Sequence, residues 1–249
     1  MKPPWMDEPP VQALLAALAR GRVGARFVGG CVRNSVLGRP VDDIDLAVDK
    51  PPQTVMRALE AADLRVVPTG LRHGTVTAIV KGRPFELTTL RRDVETDGRR
   101  AIVAFTDDWR ADAERRDFTF NALYADPDGT LYDPFEGRAD LAAGRVRFIG
   151  NPDQRIAEDR LRVMRFFRFH AWYGQPPIDG TGYQACARNA ASLDGALSRT
   201  GTEVARQKRP DSRVVSGFGE VRVLRHESRA RGVQFEGVPE MIGGILHAA

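Results

Sequence analysis

The sequence predicts an α+β fold: a mixed β-sheet flanked by helices, followed by an all-helical segment. Three observations predict it. Short β-rich runs bounded by glycine or proline mix irregularly with helical patterns through about the first 145 residues. From Trp109 onward the text turns helical. The 249 residues are 42% hydrophobic and 28% charged, the balance of a chain with a core to bury.

Taken in order, Val11 to Ala19 has the pattern of a short helix, closed by Gly21 and Gly24. Ala25 to Val28 reads as a strand that runs into Gly29-Gly30. Cys31 to Leu37 has helical spacing, with Val32, Val36 and Leu37 on one side and Gly38 as a stop. Ile44 to Val48 reads as a strand beginning around Asp43 and Asp45. Thr54 to Ala62 is an amphipathic helix entered through Pro51-Pro52, since proline is tolerated in a first turn. Leu64 to Val67, Gly74 to Val80 and Pro84 to Leu90 are β-rich runs. Asp112 to Tyr124 reads as helical, and Asp126 to Gly129 as a turn before Leu131 to Phe135. Asp153 to Trp172 is the longest helical pattern, and Tyr183 to Leu197 is a further helix. Beyond Thr200 no apolar period is sustained, so 201–249 reads as an atypical, poorly ordered tail.

Several classes are excluded. No apolar run approaches the ~20 residues needed to span a bilayer, so no membrane role is expected. The first residues open no signal-peptide core. Cys31 and Cys186 are too few for a disulfide framework or a four-thiolate zinc site. A reducing, cytoplasmic setting is expected. The formal charge of +4 leans weakly toward an anionic partner, nucleic acid among them.

The chemistry concentrates in Gly29-Gly30-Cys31-Val32-Arg33 and, ten residues on, Asp43-Ile44-Asp45. Strand side chains alternate, so Asp43 and Asp45 are expected on one face while Asp42 points away. Two neighbouring carboxylates repel unless a cation lies between them, and Mg²⁺, which favours carboxylates together with substrate phosphates, suits the pair. Two such ions could activate an attacking hydroxyl and neutralise a leaving diphosphate. Glu86 is the candidate third ligand from a neighbouring strand. Gly29 and Gly30, lacking Cβ, let backbone N–H groups and a helix start approach phosphate, with Arg33 adding a charge-assisted contact.

These segments, with Leu37-Gly38-Arg39 and Asp42 to Ala47, resemble the head-domain signature of bacterial-type (class II) tRNA CCA-adding enzymes and their poly(A) polymerase relatives. Further likenesses follow in order. They are Glu86 to Arg91 with Asp93 to Arg99, Arg115-Arg116-Asp117-Phe118-Thr119-Phe120-Asn121-Ala122, and Glu158-Asp159-Arg160-Leu161-Arg162 continued by Arg165 to Phe169. The resemblance covers about residues 10–200. It implies a nucleotidyltransferase head over 1–145 and a helical neck over 146–200 that recognises the nucleotide base. It implies metal-binding catalytic roles for Asp43 and Asp45, and base recognition without a nucleic-acid template by Asp159 and Arg162. Residues three apart on a helix share a face, consistent with that pair acting together. Arg116, Asp117 and Asn121 are expected to order the nucleotide's sugar and phosphates, and Arg165 and Arg168 to hold phosphate or flank the helix.

The implied activity is addition of CMP and AMP, from CTP and ATP, to the tRNA 3′ end. A poly(A) polymerase, an enzyme adding only C or only A, a non-catalytic nucleotide- or RNA-binding remnant and a plain RNA-binding domain are the alternatives. Oligomeric state is left open. Two departures stand out. Asn34 replaces the aspartate common after the arginine of the glycine motif. The glycine- and arginine-rich text after Thr200 does not resemble the helical body of the family, which reads as a truncation, with a change of reading frame as one route to it.

Overall fold

The structure, a computed structural model, describes residues 2–96 and 101–190. Seven strands form one sheet: β1 (Ala25–Val28), β2 (Asp45–Val48), β3 (Arg65–Gly70), β4 (Thr75–Val80), β5 (Arg83–Thr89), β8 (Tyr124–Ala125) and β9 (Leu131–Tyr132). Their spatial order is β3-β4-β5-β2-β1-β8-β9. Only β2 and β5 run parallel, and every other pairing is antiparallel. The sheet is therefore mixed, as expected. A separate ribbon pairs β6 (Arg91–Thr96) with β7 (Ala101–Phe105).

Alternation builds the buried face. In β4, Val76, Ala78 and Val80 are buried while the residues between them are not, and Phe85, Leu87 and Thr89 continue the layer in β5. Helices α1 (Pro9–Arg20) and α3 (Pro52–Glu60) cover this layer, each with proline in its first turn. They bury Val11, Leu14 and Leu18 from one side and Val55 and Leu59 from the other. Gly21 lets them meet, because a Cβ there would lie 2.3 Å from the Ala58 Cβ. Helix α2 (Gly30–Val36) follows β1 directly.

Two helical expectations are corrected. Between Asp112 and Tyr124 the chain is helical only as α4 (Trp109–Glu114), capped by Asp108. It then extends at Phe118, makes a 3-10 turn over Thr119–Ala122 and enters β8. The reason is aromatic burial: Phe118 and Phe120 are 0% and 1% exposed and their rings stack, an arrangement closed to residues two apart on an α-helix. The long pattern from Asp153 to Trp172 is two helices, α6 (Pro152–Glu158) and α7 (Arg162–Tyr173). Asp159 breaks it by adopting extended φ/ψ of −149° and 104° and accepting the Leu161 N–H on its own carboxylate at 3.0 Å.

Helices α5 (Gly137–Ala142) and α8 (Gly180–Asn189) complete the described elements. The remainder of the helix expected over Tyr183 to Leu197, and the tail 201–249, lie outside the described residues. Met1–Cys186 packs as one compact unit that runs across residue 145. The join is aromatic, since Phe118 meets Phe148, Phe166 and Phe169 at centroid distances of 4.8, 6.2 and 5.4 Å. Among the described residues no helix is long and apolar enough to cross a membrane.

Candidate active site

The glycine turn links β1 to α2. Gly29 has φ 69° and ψ −120°, a backbone state that L side chains rarely adopt. The space beside it is open, with the Arg116 Nη1 3.8 Å from where a Cβ would sit. The turn lies against the start of β2, because the Cys31 Sγ contacts the Asp45 carbonyl at 3.8 Å. Helix α2 has only seven residues, so backbone access at the glycines counts for more than a helix dipole.

Asp45 opens β2 and Asp43 lies just before it. Strand alternation therefore applies from Asp45 onward, and burial describes the rest: Ile44 is 3% exposed, while Asp43 is exposed and Asp45 half-buried. Glu86 pairs in register with Asp45 across the parallel β2–β5 ladder and is itself exposed. Among the described residues no three His, Cys, Asp or Glu side chains gather as a ready-made ion cage. The donor set present, two carboxylates at the mouth of a strand beside a backbone turn, fits Mg²⁺, which keeps open positions for phosphate and water.

Several residues expected to contact the nucleotide are bonded to one another. Arg33 is 9% exposed and donates from Nη1 to the Asn121 Oδ1 at 2.6 Å. The Asn121 amide donates to the Asp117 Oδ1 at 2.9 Å, and Asp117 accepts the Arg165 Nε on Oδ2 at 2.6 Å. Asp117 and Asn121 are each 6% exposed. Burial would raise the Asp117 carboxyl, but Arg165, Asn121 and the Phe118 N–H outweigh it and hold the group below the ordinary carboxylate range. Arg165 also brings its charge beside Arg168, whose guanidinium is depressed by burial and then by that neighbour.

Arg116 belongs to a second cluster that the sequence did not reveal. Asp112, 1% exposed, accepts from Arg115, from Arg116 and from the Tyr124 hydroxyl, the last at 2.7 Å. Burial opposes its ionisation, yet Arg116 and Arg115 hold it below the ordinary value. Tyr124 is pushed up by burial, with Asp112 adding to the rise. The available signal was spacing: Asp112 stands three and four residues before Arg115 and Arg116.

The pair expected to read the base does not share a continuous helix face. Asp159 lies in the break after α6, and Arg162 opens α7. Arg162 is 8% exposed and donates to the Glu158 Oε2 at 2.8 Å and to the carbonyls of Arg155 and Arg115 at 3.0 and 2.8 Å. Three bonds leave two of the five guanidinium N–H groups for another acceptor. Glu158, which also pairs with Arg155, thus sets the direction of Arg162. Its position inside the motif was visible in the sequence, but its role was not.

Comparison with known proteins places these features in context. Residues 25–147 match the model of the poly A polymerase head domain. The mouse mitochondrial CCA tRNA nucleotidyltransferase 1 is 42% identical over 188 residues, 74% of this chain and 43% of that protein. The CCA-adding enzyme of Geobacillus stearothermophilus is 36% identical over 195 residues, 78% of this chain and 46% of that protein. A crystal structure of the Bacillus stearothermophilus CCA-adding enzyme in complex with CTP superposes with a TM-score of 0.66 at 35% identity. That match covers 76% of this chain and 45% of the other. The chain spans rather less than half the length of these relatives.

Proposed function

Because residues 25–147 belong to the poly A polymerase head-domain family, we propose that the chain is a template-independent nucleotidyltransferase that adds CMP and AMP to tRNA 3′ ends. CTP and ATP are its substrates and diphosphate its product. One observation carries the reading: an acidic strand start, Asp43 and Asp45, lies against a glycine turn, with Asp45 in contact with Cys31 of that turn.

The terminal ribose hydroxyl attacks the α-phosphorus. A phosphodiester bond forms, the α–β anhydride bond breaks, the hydroxyl proton is lost and diphosphate departs. Asp43 and Asp45 would hold Mg²⁺, two ions in the fullest form. Bound there, the metal supplies charge neutralisation for the leaving diphosphate and a lowered hydroxyl pKa. Gly29 and Gly30 leave room for phosphate oxygens to reach the backbone, and Arg116 faces the same space. The N–H groups that Arg162 has left, with the Asp159 carboxylate close by in the chain, address the base edge.

Arg33, Asn121 and Asp117 act mainly by holding α7 against the head rather than by touching the nucleotide. We place the reaction in a reducing compartment such as the cytoplasm, since Cys31 and Cys186 are both free and buried. Burial pushes the Cys31 thiol up to about 11, which keeps it protonated.

The test is incorporation into a tRNA lacking its CCA end, with CTP alone, ATP alone and both, beside an Asp43→Ala control. The reading expects two C residues and one A, with magnesium required. A long A tract would make the chain a poly(A) polymerase. Signal equal to that of the control would make it a binding module.

A further inference from the structure

Helix α7 carries Arg162, Arg165 and Arg168, and its polar contacts with the head gather near its two ends. Near its start, Arg162 donates to the Arg115 carbonyl and Arg165 to Asp117. Eight residues on, about 12 Å along the axis, Tyr173 ends the helix and meets α2. The Arg33 guanidinium lies over its ring at 4.5 Å and the Arg39 guanidinium at 4.9 Å. Its hydroxyl donates to the Asn34 Oδ1 at 3.2 Å. Arg39 reinforces the contact by donating to the Trp172 carbonyl at 3.3 Å. Between the two ends the contact is mostly aromatic, with Phe169 stacking on Tyr173 and meeting Phe118 and Phe120 edge-on, and with the Arg33 and Arg165 guanidinium groups over the Phe169 ring. Such ring pairs contribute about 0.5–1.5 kcal/mol each, so without the contacts at Tyr173 the far end of the helix would be held by ring packing alone.

We propose that Tyr173 is a positioning residue for nucleotide recognition: it clamps the end of α7 onto Arg33, Asn34 and Arg39, and so fixes the tilt of the helix that carries Arg162. The clamp and the Arg165 bond are one connected unit, because the same Arg33 that lies under Tyr173 donates to Asn121, which donates to Asp117, which holds Arg165. Cation–π contact is favoured where the cation is desolvated, as Arg33 is. Asn34 suits the arrangement in a way aspartate would not. It accepts from Tyr173 while its amide donates to the Pro40 carbonyl at 3.0 Å, a bond a carboxylate cannot make.

The proposal rests on the nucleotidyltransferase reading, and the experiment separates the two. CTP binding and steady-state incorporation are measured for wild type, Tyr173→Phe, Tyr173→Leu, Asn34→Ala and the Phe/Ala double variant, with thermal melts alongside. Tyr173→Leu is expected to raise the CTP KM and Kd at least five-fold with kcat within two-fold. Tyr173→Phe keeps the ring and is expected to lie within about two-fold of wild type in KM. Asn34→Ala is expected to match it, and the double variant to be no worse than either single change. A Tyr173→Leu protein that melts lower yet binds CTP as wild type does would overturn the clamp and leave the function intact. Should Tyr173→Leu fail to fold, additive effects of Tyr173→Phe and Asn34→Ala would overturn it. A wild type that neither binds CTP nor extends tRNA would overturn the function, and the clamp with it.

Discussion

Asp117 and Arg165 join across 48 residues of chain, the Arg165 Nε donating to the Asp117 Oδ2 at 2.6 Å. One partner lies in the bend after α4 and the other on α7, so the bond ties the two halves of the candidate site together. Its energetics are asymmetric. Asp117 is buried, whereas the Arg165 side chain is 34% exposed. Removing the arginine strands a buried carboxylate, while removing the carboxylate frees a guanidinium that can find water.

Arg165→Met is therefore expected to cost about 3–5 kcal/mol, the range for breaking a buried pair. Asp117→Asn keeps an oxygen for the Asn121 amide and the Phe118 N–H, and is expected to cost about 1–3 kcal/mol from the lost Arg165 bond. Urea midpoints order the two variants. A larger loss for Asp117→Asn than for Arg165→Met would contradict the asymmetry.

Acid should unfold this protein through Asp112 and Asp117. Both carboxyls are held below their unfolded value of 3.8, so the folded state binds fewer protons than the unfolded chain around that pH. Their contribution is complete above about pH 5 and is lost as the pH falls through the folded values. His170, depressed by burial, acts in the same direction at higher pH: its neutral form is favoured by the fold, so stability falls as the pH drops below about 6.5. Urea unfolding from pH 7 to pH 3 should show both losses. Asp112→Asn should flatten only the lower one, at a cost at pH 7 of about 2–3 kcal/mol for the broken cluster.

Gly29→Ala isolates backbone strain. No atom other than the Arg116 Nη1 lies within 4 Å of the added methyl, so no clash contributes. The left-handed backbone remains unfavourable, by about 1–3 kcal/mol. Thermal melting should register that loss, and incorporation should fall as the turn relaxes away from the phosphate path. An unshifted melting temperature would mean that the turn accepts alanine.

What the sequence disclosed and what it hid follow from the range of the forces involved. The period-2 runs of β4 and β5 and the proline-led helices α1 and α3 were legible because burial there repeats locally. The glycine turn and Asp45 were legible for a similar reason, lying only fifteen residues apart in the chain. The bend at Phe118 was not, since it answers to Phe148, Phe166 and Phe169, whose positions are tertiary facts. The break at Asp159 was hidden because helical spacing continues through it, and it is the carboxylate's bond to the Leu161 N–H that stops the helix. Side-chain partners such as Tyr124 for Arg116, across a bend, or Tyr173 for Arg33, far along the chain, carry no periodic mark.

The strand start decides the chemistry. Asp43 is exposed, so Asp43→Ala should change stability by no more than about 0.5 kcal/mol. Loss of charge stabilisation worth several kcal/mol at the transition state should nonetheless cut incorporation by about a thousand-fold or more. Asp45→Asn is expected to do the same. Glu86→Gln should behave differently. It sits beside Asp45 in the ladder, but no three-carboxylate cage forms among the described residues, so a loss of no more than about three-fold is expected. Initial rates across a magnesium titration check all three: the aspartate variants should stay inactive at saturating metal, and Glu86→Gln should saturate near the wild-type concentration. If Glu86→Gln instead needed far more magnesium, a third carboxylate would enter the site on nucleotide binding, and the two-carboxylate account would have to give way.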